Sequence, residues 1–230
     1  MSLPRSTPEV EQQHLDAFGP RLGPIYHGLY NEVLQLHWKW AQFQMLFGGS
    51  PERIQLLNAS APGFFWLIQQ VLWEDILLHV AVLTDPPQQH SNKNLSLPCL
   101  PELVDDPRLA AYVREILGLA DLAAKRIRKQ RDKLLAHRDR AVVLNGKAKR
   151  LPEVRGRDVA YVLGLFADLM DRLHSEYVGG NVAFSAIRGS GDADALVCAL
   201  AIAADLEERR QQRAREGKLL PEDFEQPTVP

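Results

Sequence analysis

The chain has 230 residues, with 27 lysines and arginines against 29 acids and a net charge of −2. Hydrophobic residues at 46% and charged residues at 24% are ordinary globular values, enough for one good-sized core or two small ones. The near-neutral balance excludes a global basic footprint, so any nucleic-acid surface must be local. No composition break divides the chain, and a single domain over residues 1–216 with a polar, proline-bearing tail over 217–230 is expected.

The opening MSLPRSTPEV has no apolar run after its arginine and does not read as a secretory signal. Thr7-Pro8, Ser50-Pro51 and Asp106-Pro107 each offer a capping oxygen followed by proline at the first helical position. A short helix to about Phe18 is expected after Thr7. A long one follows from Pro24 to Phe47, with Tyr26, Tyr30, Val33, Trp40, Phe43 and Phe47 on one side, ended by Gly48-Gly49. Pro51 opens a helix of one or two turns to Asn58. Pro62 to Thr84 reads as the most buried helix, stopped by Asp85-Pro86-Pro87; Gln69, Gln70, Glu74, Asp75 and His79 interrupt it and argue against a membrane span. Gln88 to Pro101 is a polar connection. A long helix is expected from Pro107 to about Arg138, and Asn145-Gly146 suggests a small hairpin between AVVLN and KAKRL. Helices from Arg157 to Tyr177 and from Asp192 to about Arg215 complete the set. The fold class is all-α, an up-and-down bundle of four long helices with shorter accessory helices.

The isolated cysteines Cys99 and Cys198 suit a reducing cytoplasm. There is no GxGxxG, no P-loop and no HExxH, so no cofactor and no metal are expected. Asp75 and His79 stand four apart on one helix face. A metal pair is one reading; a core histidine bonded to its own-face aspartate is the simpler one. Trp38, Trp40, Trp66 and Trp73, with Phe64 and Phe65, fit core or dimer packing.

The helix from Pro107 carries the most informative segment. Its stripe is Leu109, Val113, Ile116, Ala120, Ala123, Ile127 and Leu134. At about 100° per residue, Arg131 falls roughly 40° from Ile127, inside the stripe, and His137 roughly 80° to the other side. A charge there is a helix end emerging into water, half of a buried ion pair with Asp75 as the available acid, or part of a site that uses the charge. Spacing alone is a weak signal. With 19 arginines and 7 histidines, about one or two such pairs arise by chance. The second, Arg21 to His27, spans Gly23-Pro24, which should break a shared helix.

Context adds to it. The residues IRKQRDKLLAHRD resemble the HEPN domain family (higher eukaryotes and prokaryotes nucleotide-binding), whose motif is an arginine, four to six residues and a histidine, with a polar residue directly after the arginine. Arg131, Asp132 and His137 match it. The upstream LWEDILLHVAVLTDPP and NKNLSLPCL are similar to the abortive-infection U type of that family, a bacterial phage-defence group, and the resemblance covers roughly Phe47 to Tyr177. Aspartate stands at 132 where many active members carry asparagine, which donates as well as accepts.

The resemblance implies a four-helix bundle and metal-independent RNA cleavage. The ribose 2′-hydroxyl would attack the neighbouring phosphate, leaving a 2′,3′-cyclic phosphate and a 5′-hydroxyl. Imidazole titrates near neutral pH and suits His137 as acid or base. Guanidinium suits Arg131 as a phosphate clamp, with Asp132 orienting them. Asp75 and His79 are expected to support the pair from behind. On one ideal helix Arg131 and His137 diverge by about 120° and stand about 9 Å apart along the axis. A homodimer bringing two pairs to one cleft resolves that, as family members commonly do. Between Asp121 and Arg140 eight lysines and arginines face three aspartates, a patch in which Arg128, Lys133 and Arg138 are expected to contact RNA; a solvated helix face, neutralised by pairs such as Arg128–Asp132, is the plainer reading. A cognate antitoxin or defence partner fits a toxin-like role; a membrane partner does not. The rival reading is a non-catalytic helical bundle that binds a protein or nucleic acid.

Overall fold

The structure is a computed structural model that describes residues 6–89, 91–132, 153–186 and 192–224. The chain is an all-α helical bundle. Among the described residues its α-helices are α1 (Pro8–Phe47), α2 (Pro51–Ser60), α3 (Pro62–Leu83), α4 (Pro107–Gln130), α5 (Gly156–Tyr177) and α6 (Ala193–Arg215). Between α3 and α4 a two-residue antiparallel pair, β1 (Gln88–Gln89) and β2 (Asn92–Lys93), precedes a 3-10 helix at Leu97–Glu102. The expected hairpin around Asn145-Gly146 and the expected end of α4 near Arg138 lie outside the described residues.

The chain groups into two compact units, Met1–Ala41 with Gln70–Arg188 and Gln42–Gln69 with Gly189–Pro230. The first holds most of α1, the C-terminal part of α3, α4 and α5. Bonds between its helices fix their directions. Tyr26 Oη donates to the Met170 carbonyl and His37 Nε2 bonds the Leu163 carbonyl, so α1 and α5 run antiparallel. Glu32 meets His79 and Lys39 meets Asp75, so α1 and α3 are antiparallel too. Leu29, Val33 and Leu36 of α1, Ile76 and Val80 of α3, Val113 and Ile127 of α4, and Val162, Phe166 and Leu169 of α5 are buried, as the helical periodicity requires. Asp106 caps α4, accepting from the backbone N–H groups of Arg108 at 2.7 Å and Leu109 at 2.9 Å.

Three details depart from the sequence reading. First, α1 is broken at Gly19, whose φ of 71° lies in the left-handed region that glycine enters without a Cβ penalty. The second helix starts at Pro20, a position that tolerates proline, so Gly23-Pro24 does not separate Arg21 from His27. Gly23 instead permits close packing, since a Cβ there would stand 3.1 Å from the Leu15 Cα. Second, the polar connection after α3 carries elements that the sequence reading did not name, the pair and 3-10 helix above. Third, α3 is not the most buried helix. It is mostly apolar, and Val71, Leu78 and Val82 are 53%, 42% and 44% exposed, because neighbours cover only one side. By length and composition alone α3 could cross a membrane, with mean hydropathy 1.3 over a window that is 33% buried.

The second unit holds the end of α1, α2, the start of α3 and α6. Here α2 packs on α6. Gln42 bonds both the Asp192 carboxylate and the Ala193 N–H at 2.8 Å, closing the first turn of α6. Arg53 reaches the Met45 carbonyl and, at 3.1 Å, Asp194. Phe65 is buried, but Phe64 and Trp66 are 55% and 64% exposed, so that part of the aromatic run is surface.

Candidate active site

The helix α4 delivers Arg131 to the surface of the first unit. At Arg131 and Asp132 the chain passes into a π-helical turn, a wider coil that re-aims side chains. The Arg131 guanidinium is held from two sides. Its Nη1 donates to both oxygens of Asp85, at 2.7 and 2.6 Å, and its Nε donates to Asp132 Oδ1 at 2.9 Å. The Arg131 and Asp85 side chains are 19% and 18% exposed, so this pair is shielded but not sealed. Burial pulls the Arg131 pKa down, and the bonds from Asp85 and Asp132 more than restore it, so the group stays charged. Among the described residues its Nη2 has no hydrogen-bond partner.

Asp85 sits just past the end of α3, in the Asp85-Pro86-Pro87 stop. The prolines end the helix there, and the aspartate is free to swing toward α4. The carboxylate expected to meet Arg131 was Asp75; the structure gives that place to Asp85 instead. Asp75, nearly three turns earlier on α3, pairs with Lys39 at 2.7 Å. His79 does not bond Asp75. Its Nε2 lies 2.8 Å from Glu32 and its Nδ1 3.4 Å from the Lys39 ammonium. Burial and Lys39 lower the His79 pKa against the pull of Glu32 and Asp75. Glu32, His79, Lys39 and Asp75 thus form one chain of alternating polar contacts between α1 and α3, apart from the Arg131 contacts. No group of three or more His, Cys, Asp or Glu among the described residues could hold a metal ion.

Arg128, one turn below Arg131, does not pair with Asp132. It reaches back to Asp121, with Nη2 2.5 Å from the carboxylate and 3.1 Å from the carbonyl. Asp132 is taken by Arg131 because its neighbour's Nε is within direct reach. The Arg128 Nη1 is buried and has no partner among the described residues. Two guanidinium groups at i and i+3 therefore each keep one terminal nitrogen uncommitted there, on the same side of α4. Against this, Asp85 and Asp132 together outweigh the single charge of Arg131, which raises the cost of bringing an anion there. His137, Lys133 and Arg138 lie outside the described residues.

A family model supplies the decisive comparison. HEPN_AbiU2, described as AbiU2, matches residues 20–196. The chain belongs to this family. It is a HEPN protein of the abortive-infection AbiU2 type, as the Arg131–His137 segment and the run through Asp85 suggest. No curated protein and no solved structure matches the chain.

Sequence reasoning missed Asp85 as the partner of Arg131. The signal was an acid placed between an apolar helix and two prolines, which reads first as a stop. It also missed a histidine cluster in the first unit. His14 is fully buried, with Nδ1 3.1 Å from His27 Nδ1 and its Nε2 without a partner among the described residues. Burial, then the proximity of His27 and His174, lowers its pKa to about 4. Only the kink at Gly19, which folds residues 8–18 back on the rest of α1, brings His14 to His27.

Proposed function

We propose that this HEPN protein is a metal-independent endoribonuclease of a phage-defence, toxin-like system, acting in the cytoplasm as a homodimer. The observation that carries this reading is the state of Arg131. Two carboxylates fix the guanidinium in place, while its Nη2 and the Arg128 Nη1 have no partner among the described residues. Fixed donors next to an unfilled position suit a phosphate whose charge rises during reaction. In this reading the 2′-hydroxyl loses its proton to a His137 imidazole as it bonds to phosphorus. The 5′-oxygen leaves and takes a proton from a second histidine in its protonated imidazolium form, and a 2′,3′-cyclic phosphate forms. Arg131 binds the phosphate, and Asp85 and Asp132 are its positioning residues. Lys133 and Arg138 continue the contact along the RNA backbone. DNA lacks the attacking hydroxyl and is inert.

The dimer supplies the second imidazole. Val71, Leu78 and Val82 form an exposed apolar line on α3 that ends three residues before Asp85. A two-fold axis near Val82 brings two Arg131–Asp85 pairs to one cleft and covers that line. A cognate antitoxin would find the same cleft to block.

A second reading is favoured by the same pair of carboxylates. A guanidinium already matched by Asp85 and Asp132 is also what a structural ion pair looks like, and a non-catalytic bundle that binds a partner protein or nucleic acid follows from it. Incubation with total RNA in EDTA separates the two. The nuclease reading expects cleavage with 2′,3′-cyclic phosphate ends, reduced about 10²–10⁴-fold in His137→Ala and about 10²–10³-fold in Arg131→Ala. Equal RNA loss with wild type and His137→Ala points to a contaminant. No loss with the wild type leaves the binding reading.

A further inference from the structure

The helix α6 carries an apolar seam on the side that its own unit leaves open. Its inner side is anchored by buried Val197, by Gln42 at its first turn and by Arg53 on Asp194. From Ala201 to Gln212 every residue is exposed. Leu196, Ile202 and Leu206 are 44%, 62% and 60% exposed. With Ala199 and Ala203 they recur at three- and four-residue spacing along one side of the helix. At about 100° per residue, the middle of that side lies roughly 160° from Val197. A helix with so little packing is marginal in water, and a continuous apolar line on it marks a contact surface.

Charge along the helix has a direction. From Asp192 to Glu208 the charged residues are Asp192, Asp194, Asp205, Glu207 and Glu208, all acidic, whereas Arg209, Arg210, Arg213 and Arg215 crowd the last two turns, three of them paired within the chain with Asp205, Glu207 and Asp223. Two copies laid antiparallel set each acidic end against the other's arginine-rich end. A parallel pair sets like against like. The alternation of alanine with leucine and isoleucine lets two such helices approach closely.

We propose that α6 pairs with α6 of a second copy as a short antiparallel coiled coil, with its two-fold axis near Ile202 and Ala203. The pair buries about 1,000 Å² in total, at the lower edge of specific interfaces. Association is therefore weak, with a dissociation constant in roughly the micromolar range. The family match ends at residue 196, so nearly all of this seam lies outside the matched residues. The interface is separate from the α3 line and does not depend on RNA cleavage. A chain with both two-fold faces assembles into tetramers or longer rows.

Sedimentation of the full chain from about 5 to about 300 μM, a range that brackets such an affinity, tests the pairing. The average mass should rise with concentration. In the double variant Ile202→Asp, Leu206→Asp the dissociation constant should increase by at least about 30-fold, the loss expected from burying charge in a packed seam. An unchanged circular dichroism spectrum at the lowest concentration shows that the variant is folded. Constant mass in the wild type, or association that the variant leaves intact, overturns the proposal. Orientation has its own readout. In a Cys198→Ala background, Ala203→Cys should form a disulfide-linked dimer under mild oxidation, while Leu196→Cys should not. Cross-linking at both positions means a parallel pair and rules out the antiparallel one.

Discussion

The two units of this chain are built from the same kind of helix and differ in how much each one hides. Among the described residues the second unit buries five apolar side chains: Met45, Leu46, Leu57, Phe65 and Val197. It leaves more large ones exposed than that, from Phe64, Trp66 and Leu67 through Leu196, Ile202 and Leu206 to Leu219, Leu220 and Phe224. All the other buried apolar side chains, from Phe18 to Phe184, belong to the first unit. A small core stabilises weakly because surface grows relative to volume. The first unit is thus a folded body with a site at its edge. The second is a set of helices whose outward apolar faces are suited to further contacts.

The largest expected effect tests the core of the first unit. Phe166 sits at the middle of α5 and is 1% exposed. Phe166→Ala should cost about 3–5 kcal/mol in urea unfolding, from lost burial and the cavity left behind. Leu57 of α2, equally buried, has fewer layers around it. Leu57→Ala should cost about 2–3 kcal/mol and raise hydrogen exchange mainly in α2 and α6. If Leu57→Ala proves the more damaging of the two, the contrast between the units is wrong.

Acid should separate the units next. All seven histidines fall outside residues 42–69 and 189–230, so the second unit has none. In the first, His14 and His37 are buried and their pKa values fall to about 4, through burial in both cases, helped by His27 and His174 for His14 and opposed by the Leu163 carbonyl for His37. Between pH 6.5 and about 4 the unfolded chain binds more protons than the folded one, so stability declines as pH falls through that window. The loss should reach up to about 3 kcal/mol per histidine at the low end. A urea midpoint that stays flat from pH 6.5 to 4.5 would contradict the burial of these imidazoles.

How much of this could be read in advance differs by element. Proline after Asp106 marked the start of α4 because capping and the first-turn proline are local effects, and the 3.6-residue period gave the buried face of α5. Gly19 was harder. A glycine before a proline reads as an end of one helix, but the angle at which the next departs depends on what packs, and here Gly23 against Leu15 decides it. The site was half legible. Arg131 and Asp132 are adjacent in sequence and stayed together. Asp85 lies 46 residues from Arg131, and whether an acid on α3 or one in the turn after it meets Arg131 depends on how far α4 slides along α3, which no pattern within either helix records. The open face of α3 was misjudged for a related reason: a mostly apolar helix says that it avoids water, not how many partners it has.

At the edge of the first unit the expected cost is intermediate. Asp85→Asn keeps the shape and removes the charge that Arg131 faces at 2.6 Å. Because both groups are about four-fifths shielded, the loss should be about 1–3 kcal/mol, less than for a fully buried pair. If RNA cleavage is observed, the same variant should lower kcat more than it raises KM, because a positioning residue acts on the geometry of the reacting phosphate. A variant as stable as the wild type with unchanged kcat would mean that Asp132 alone holds Arg131.

The smallest effect is expected on α6, and its dependence on concentration is what makes it informative. Asp205 and Arg209 form an exposed pair, 55% and 67% open, and Arg209→Ala should change stability by less than about 0.5 kcal/mol. Ile202→Ser should do equally little in dilute solution, since the side chain is already in water. In the first unit Ile127→Ser, at a fully buried position, should cost several times more at every concentration. Raising the protein concentration leaves the Ile127 difference fixed, because a core is internal to one chain. It should enlarge the Ile202 difference, because the wild type then gains the free energy of pairing that the variant lacks. An Ile202 difference that stays small at high concentration would make α6 an uncovered helix after all.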